Sequence, residues 1–229
     1  MPASFKQDFV GKTILLTGAC GGIGSSLGLK LCQLQADVIL TDKNPRSLNI
    51  MCDKIIQAGG KEPLLYPMDL VGATPDDFYQ FAKSIEKNLG QLDGLIHTAV
   101  EFSGLTEIVH YEPTRWLKEM QINLNSPIFL TQALLPLLAA THGTIIFTLE
   151  DFSTIEKAYW GNYGVAKAGI AHFAKILAQE SQATQIKVKT ITPPPIKTQL
   201  RAKAWPGEDA SLLKLPEDII PLYLDGLQT

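Results

Sequence analysis

Charge of one sign is scarce in this chain: 20 Lys and Arg stand against 23 Asp and Glu over 229 residues. Without a basic excess there is no electrostatic footprint for a phosphate backbone, so no nucleic-acid partner is expected. Cysteine is scarcer still. Cys20, Cys32 and Cys52 are too few and too scattered for a disulfide framework, and reduced thiols suit a cytoplasmic protein. No C-x-x-C occurs, and His97, His110, His142 and His172 lack zinc-site spacing, so no metal is expected. The opening residues 1–8 contain no apolar signal core. The most apolar stretch, Pro127 to Ala140, falls short of the ~20 residues of a bilayer span and carries Gln132 and Pro136, so no membrane is expected either. What remains is an ordinary globular composition, 45% hydrophobic and 19% charged, long enough to bury a full core. One domain over 1–229 is the expectation.

Short apolar runs alternate with longer helical patterns. Strands are expected at Thr13–Leu16, Asp37–Thr41, Leu64–Pro67, Gly94–Thr98, Gly143–Thr148 and Lys187–Ile191. Helices are expected at Ile23–Leu34, Arg46–Ala58, Pro75–Leu89, Trp116–Ala139, Asn162–Ala183 and Pro216–Leu224. Continuous apolar strands separated by helices imply an α/β fold, a doubly wound parallel sheet of the Rossmann kind, with ligands at the strand carboxyl ends. Thr192-Pro193-Pro194-Pro195 ends the last strand, because proline supplies no ladder donor. Residues 196–216 read as a polar loop or small lid.

Thr17-Gly18-Ala19-Cys20-Gly21-Gly22-Ile23-Gly24 joins the first strand to the first helix. Glycines there permit a tight turn and let main-chain N–H groups at Gly18, Gly22, Ile23 and Gly24 approach a pyrophosphate, with the helix dipole adding its positive end. Asp42 lies 18 residues beyond Gly24, near the ~20-residue spacing of a ribose-binding acid. Its carboxylate accepts ribose hydroxyls and repels a 2′-phosphate, which favours NAD over NADP; Lys43 and Arg46 nearby leave NADP open. Asp42 also reads as a strand-end turn residue. Asp69-Leu70 follows the third strand, and reads either as an adenine contact or as a helix N-cap.

Tyr163 and Lys167 stand four apart at the start of a helix, so both side chains share one face. An ammonium beside a phenol favours the phenolate and suits the tyrosine to exchange a proton while a hydride moves.

The T-G-x-x-x-G-x-G turn with the Y-x-x-x-K pair resembles the short-chain dehydrogenase/reductase family, from about residue 10 to the end. Within it, Leu130–Leu138, Leu200–Trp205 and Asp218–Leu224 look most like the YciK-type bacterial oxidoreductases. The resemblance implies Tyr163 as acid/base, Lys167 as its pKa-lowering partner on the nicotinamide ribose, and Asn123 as anchor of a proton-relay water. It places Ile196 and Thr198 at the nicotinamide carboxamide, and Ala99 where the backbone passes the cofactor. It implies a small carbonyl or alcohol substrate and a homodimer or homotetramer built on the long apolar helices.

Four departures from the family pattern stand out. The catalytic serine, 13 residues before the tyrosine, is Glu150. An ionised carboxylate ~5 Å from the phenol opposes the phenolate by about 3 kcal/mol at an effective dielectric of ~20. A protonated Glu150 could instead donate a hydrogen bond, or Thr148 or Ser153 could supply a hydroxyl. The family's N-A-G reads Thr98-Ala99-Val100, its P-G reads Pro193-Pro194, and a seventh strand is expected to be missing after residue 229. These changes cluster at the nicotinamide end. Two readings follow: an NAD-preferring oxidoreductase, or a catalytically impaired dinucleotide-binding or scaffold protein. Lys197, Arg201 and Lys203 read as a solvated loop or a contact for an anionic substrate. Tyr159, Trp160 and Trp205 read as pocket lining or core edge; Trp116 and Phe129 read as packing or dimer residues. His97 reads as a satisfied core histidine.

Overall fold

Apolar segments of four to six residues become strands here because the sheet is covered on both faces. The computed structural model describes residues 9–228. Its strands are β1 (Thr13–Thr17), β2 (Asp37–Asp42), β3 (Leu64–Pro67), β4 (Gly94–His97), β5 (Thr144–Thr148) and β6 (Lys187–Ile191). They form one parallel sheet in the order β3-β2-β1-β4-β5-β6. The central strands β1 and β4 are buried throughout, whereas the edges β3 and β6 are partly exposed.

Alternate residues of each strand feed two cores. Leu16, Leu40, Ile96 and Ile146 pack with Leu27 and Leu31 of α1 (Gly22–Gln33), Leu48 of α2 (Pro45–Gln57) and Tyr223 of a C-terminal helix. On the other face Leu15, Ile39, Leu95 and Ile145 meet Phe78 and Phe81 of α3 (Pro75–Leu89), together with residues of the later helices. Local chemistry sets the helix starts. Asn44 caps α2 by accepting from the N–H groups of Arg46 and Ser47 at 3.0 and 3.2 Å. Thr74 and Asp77 form a capping box on α3, with Pro75 at the first helical position.

The expected helix Trp116–Ala139 is longer and is not regular. It runs as α4 (Pro113–Met120), a π-turn over Gln121–Asn125, and α5 (Ser126–Thr141). This 29-residue helix is long and apolar enough to cross a bilayer by length and composition, a point the shorter run Pro127–Ala140 concealed. Here Leu130, Leu134, Leu137 and Leu138 lie in the core beside β4 and β5. Beyond β5 come a short α6 (Phe152–Ile155) that no periodicity announced, then α7 (Gly161–Glu180). The segment 196–216 contains α8 (Gln199–Ala204) and is tied by an Ile196–Lys214 bridge. The last expected helix splits into a 3-10 turn, Pro216–Ile219, and α9 (Ile220–Gln228).

Leu15 and Leu16 are fully buried on opposite faces. Leu15→Ala and Leu16→Ala are each expected to lower unfolding free energy by about 2–5 kcal/mol in chemical denaturation. A near-neutral result at either would mean that its face of the sheet is not closed.

Candidate active site

The sheet order reverses between β1 and β4, which opens a crevice at their carboxyl ends. A cleft of about 880 Å³ lies there. Its floor is main chain pressed on main chain. Gly18 has φ +68°, and a Cβ on it would stand 2.6 Å from the Cα and N of Ala99. A Cβ on Gly24 would overlap the Gly18 carbonyl oxygen. The Thr98 hydroxyl donates to the Thr17 carbonyl at 2.6 Å, and the Ala99 N–H donates to the Thr17 hydroxyl at 3.3 Å. These bonds lace the ends of β1 and β4 directly beneath the turn.

The first-turn N–H groups of α1 have no carbonyl partner within the helix, and no side chain caps them. No acidic side chain stands in that turn to oppose an anion. Gly18, Gly22, Ile23 and Gly24 all line the cleft. A bare set of donors at a helix N-terminus is the arrangement that accepts a pyrophosphate, so these residues fit a dinucleotide.

Asp42 lines the cleft half-buried, and its Oδ2 accepts the Cys20 N–H at 3.0 Å. One carboxylate oxygen thus braces the glycine turn. Lys43, its neighbour, reaches across to Glu101 at 3.3 Å. Arg46 opens α2 on the exposed side and does not line the cleft. Asp69 and Leu70 also line the cleft, but Asp69 is no helix cap. Its Oδ1 accepts the Val71 N–H at 3.1 Å, and Thr74 caps α3 instead.

Tyr163 and Lys167 meet Glu150 at the other end. The Tyr163 hydroxyl donates to Glu150 Oε1 at 2.8 Å, and Lys167 Nζ donates to the Thr148 carbonyl at 2.7 Å. Tyr163 is only 1% exposed, packed against Phe102 and Trp160. Burial first, then the negative charge of Glu150 and the hydrogen bond to it, push the phenol well above its ordinary value. Burial pulls the Lys167 ammonium down, and Glu150 pulls it partly back. The pair therefore holds a neutral phenol whose hydrogen is already directed at a carboxylate. Neither substitute hydroxyl faces the tyrosine. Thr148 Oγ1 is 3.0 Å from the Tyr223 hydroxyl, and Ser153 Oγ donates to Asp151 at 2.8 Å.

The start of α7 is anchored from below. The Tyr111 hydroxyl lies 2.6 Å from both Asn162 Oδ1 and Glu119 Oε2, with Asn162 fully buried just before the tyrosine.

The Asn123 side chain is engaged on the main chain. Its Nδ2 donates to the Glu101 carbonyl and its Oδ1 accepts the Glu101 N–H, both at 2.8 Å. The side chain thus clamps the backbone after β4. It sits in the π-turn, where the extra residue per turn shifts its direction from that of a regular helix. This clamp sets Val100, Glu101 and Phe102 along the cleft. Glu101 and Phe102 were not anticipated, because no spacing marks a loop whose path is fixed by a residue 22 positions away.

Ile196 and Thr198 reach the cleft with the lid. Thr198 caps α8 by accepting the Arg201 N–H at 3.1 Å, and a Cβ on Gly22 would meet its methyl at 2.7 Å. Two lid cations are engaged within the protein, and Lys197 also lines the cleft. Arg201 forms two 2.6 Å bonds to Glu208 and stacks 3.5 Å from the Trp205 ring centroid, while Lys203 donates to the Phe102 carbonyl at 3.0 Å. Trp205 lines the cleft, Trp160 is buried behind it, and Tyr159 is half exposed away from it. His97 is the core histidine expected: Nε2 lies 2.9 Å from Thr131 Oγ1 and the ring stacks on Phe147.

Comparison with known proteins agrees with this geometry. The short chain dehydrogenase family pattern matches residues 12–209. The chain is 35% identical over 221 residues to the uncharacterized oxidoreductase YciK of Escherichia coli, covering 96% of this chain and 87% of that one. It is 28% identical to the 3-oxoacyl-[acyl-carrier-protein] reductase FabG of the same organism, over 90% of this chain and 82% of that one. A short chain dehydrogenase from Shigella flexneri complexed with NADP superposes with TM-score 0.91 at 34% identity, covering 97% and 96% of the two chains. One from Escherichia coli complexed with NADPH gives 0.91 at 35%, covering 96% and 92%.

Two titrations follow. Burial, with Lys167 adding to it, holds His97 at about 3 against an ordinary 6.5. A depressed histidine contributes stability above pH 6.5 that is lost as pH falls toward 3. His97→Gln is expected to remove one proton from the slope of stability against pH in that window, read by denaturation at each pH. Glu150→Gln is expected to lower the titration of Tyr163, seen as tyrosinate absorbance that Tyr163→Phe abolishes. An unchanged titration would show that Glu150 does not govern the phenol.

Proposed function

Since this chain belongs to the short-chain dehydrogenase family, we propose that it is a pyridine-nucleotide oxidoreductase acting on a carbon double-bonded to a heteroatom, of which the carbonyl/alcohol pair is the general case. The observation that carries this reading is the single cleft that holds both the bare glycine turn and the Tyr163–Lys167 pair. The first-turn amides of α1 would hold the pyrophosphate, Asp42 the adenosine ribose, and Asp69 and Leu70 the adenine side. Ala99, Ile196 and Thr198 would flank the nicotinamide, with the segment 196–216 as lid. A reduced nicotinamide, when bound, supplies the hydride. Lys167 would orient the nicotinamide ribose, and Tyr163 would exchange the proton with the substrate heteroatom.

Asp42 supports NAD, since a second anion beside its carboxylate is repelled and Lys43 is held by Glu101. The Shigella and Escherichia structures holding NADP and NADPH speak for the phosphorylated nucleotide, so the two are to be compared directly. The half-exposed apolar residues Ile128, Phe129 and Phe173, with Val165 and Ile176, support a homo-oligomer through α5 and α7. A second reading is favoured by one bond. With the Tyr163 hydrogen directed at Glu150, the chain could bind nucleotide and turn over nothing.

Fluorescence titration is expected to show NADH binding about tenfold or more tighter than NADPH, and Asp42→Ala is expected to erase the difference. With a panel of ketones and alcohols, Tyr163→Phe is expected to lower any turnover by about 10²–10⁴. Nucleotide binding without turnover across the panel would support the second reading; absence of binding would overturn both.

A further inference from the structure

Resting on the reading of the cleft as a nicotinamide-dependent site, we infer that the double bond reduced here is carbon–nitrogen, the substrate being a cationic iminium and the product its amine. The serine position carries the half-buried carboxylate of Glu150, which lines the cleft and accepts the Tyr163 hydroxyl at 2.8 Å. Phe102, Tyr163 and Trp205 line the same corner. A carboxylate among aromatic rings is the chemistry that recognises an organic cation. The Trp205 ring already receives one, the guanidinium of Arg201 at 3.5 Å.

Of the cations on the cleft, Lys197 belongs to the lid and Lys43 pairs with Glu101, while those nearest the aromatic rings are engaged. Arg201 is neutralised by Glu208, Lys203 is bonded to the Phe102 carbonyl, and Lys167 donates to the Thr148 carbonyl. Asp151, also on the cleft, adds a second negative charge, with its carboxylate accepting from Ser153.

Reducing a neutral carbonyl builds negative charge on oxygen beside Glu150, and that charge is repelled in a partly buried site. It also needs the Tyr163 proton, which already lies on a bond to Glu150. An iminium avoids both difficulties. The electron pair of the hydride, supplied by a dihydronicotinamide, forms the new C–H bond. The C=N π pair becomes the nitrogen lone pair, the positive charge passes from substrate to nicotinamide, and no proton is transferred in the step. Glu150 thus acts as the counter-ion that holds the nitrogen.

The test compares two probes of one shape, protonated dihydroisoquinoline and the ketone tetralone, with NADH and with NADPH. Nicotinamide absorbance is expected to show kcat/KM higher for the imine by about tenfold or more, with Glu150→Gln removing that advantage and Glu150→Ser shifting turnover toward the ketone. A wild-type preference for the ketone, or an imine preference untouched by Glu150→Gln, would overturn the inference. If neither probe turns over, calorimetry decides between the ammonium tetrahydroisoquinoline and its neutral ether isochroman. Binding of the ammonium about tenfold or more tighter, lost in Glu150→Gln, supports the inference. Equal, weaker or undetectable binding overturns it. Nucleotide binding is measured in the same samples, so failure of the nicotinamide reading is seen separately.

Discussion

Main-chain contact between the end of β1 and the end of β4 is the constraint from which the cleft follows. Gly18 lies against the backbone of Ala99 and Gly24 against the carbonyl of Gly18, at separations that admit no Cβ. Thr17 and Thr98 hold the two strand ends together by side-chain hydrogen bonds to main chain. Because no side chain intervenes, the amides at the start of α1 stay open to the crevice. The Asp42 bond to the Cys20 N–H then fixes the outer limb of the turn. A parallel sheet opens a crevice wherever its strand order reverses. Here that crevice is shaped by close backbone packing rather than by side-chain bulk.

The opposite end of the cleft is governed by an electrostatic choice. The sequence resemblance implies a serine hydroxyl facing the tyrosine, whereas the structure has the Glu150 carboxylate there. A hydroxyl both donates and accepts, and an ionised carboxylate only accepts. The consequence is a phenol held neutral by burial and by its bond to Glu150, next to an ammonium directed at a carbonyl. The glycine-turn end presents open main-chain donors, and the opposite end carries the negative charge of Glu150. Both ends rest on one sheet, with the glycine turn after β1 and Glu150 after β5.

Much of this was legible from local pattern. The six strands fall within a residue or two of their expected limits, because continuous apolar runs mark segments buried on both faces. Pro75 marks a helix start, standing at the first helical position, whereas α2 begins at Pro45, one residue before the expected Arg46. The long helix was less legible. Its break at Gln121–Asn125 gives no signal in periodicity, and it is this π-turn that carries Asn123 to the Glu101 backbone. The lid residues Arg201 and Lys203 looked free in sequence and are occupied in space, one by Glu208 and one by the Phe102 carbonyl.

Sequence alone determined the alternation of elements, the side-chain-free turn, the shared helical face of Tyr163 and Lys167, and the presence of a carboxylate where a hydroxyl was expected. Each depends on spacing along the chain, and spacing fixes which face a residue occupies within its own element. Tertiary structure decided that Glu150 takes the tyrosine's hydrogen, that Asn123 serves as a clamp, and that Lys43 is drawn to Glu101. Those pairings join residues on different elements. They exist only once the sheet order brings the carboxyl ends of β1, β2, β4 and β5 to one rim, where burial strengthens the Tyr163–Glu150 interaction in particular.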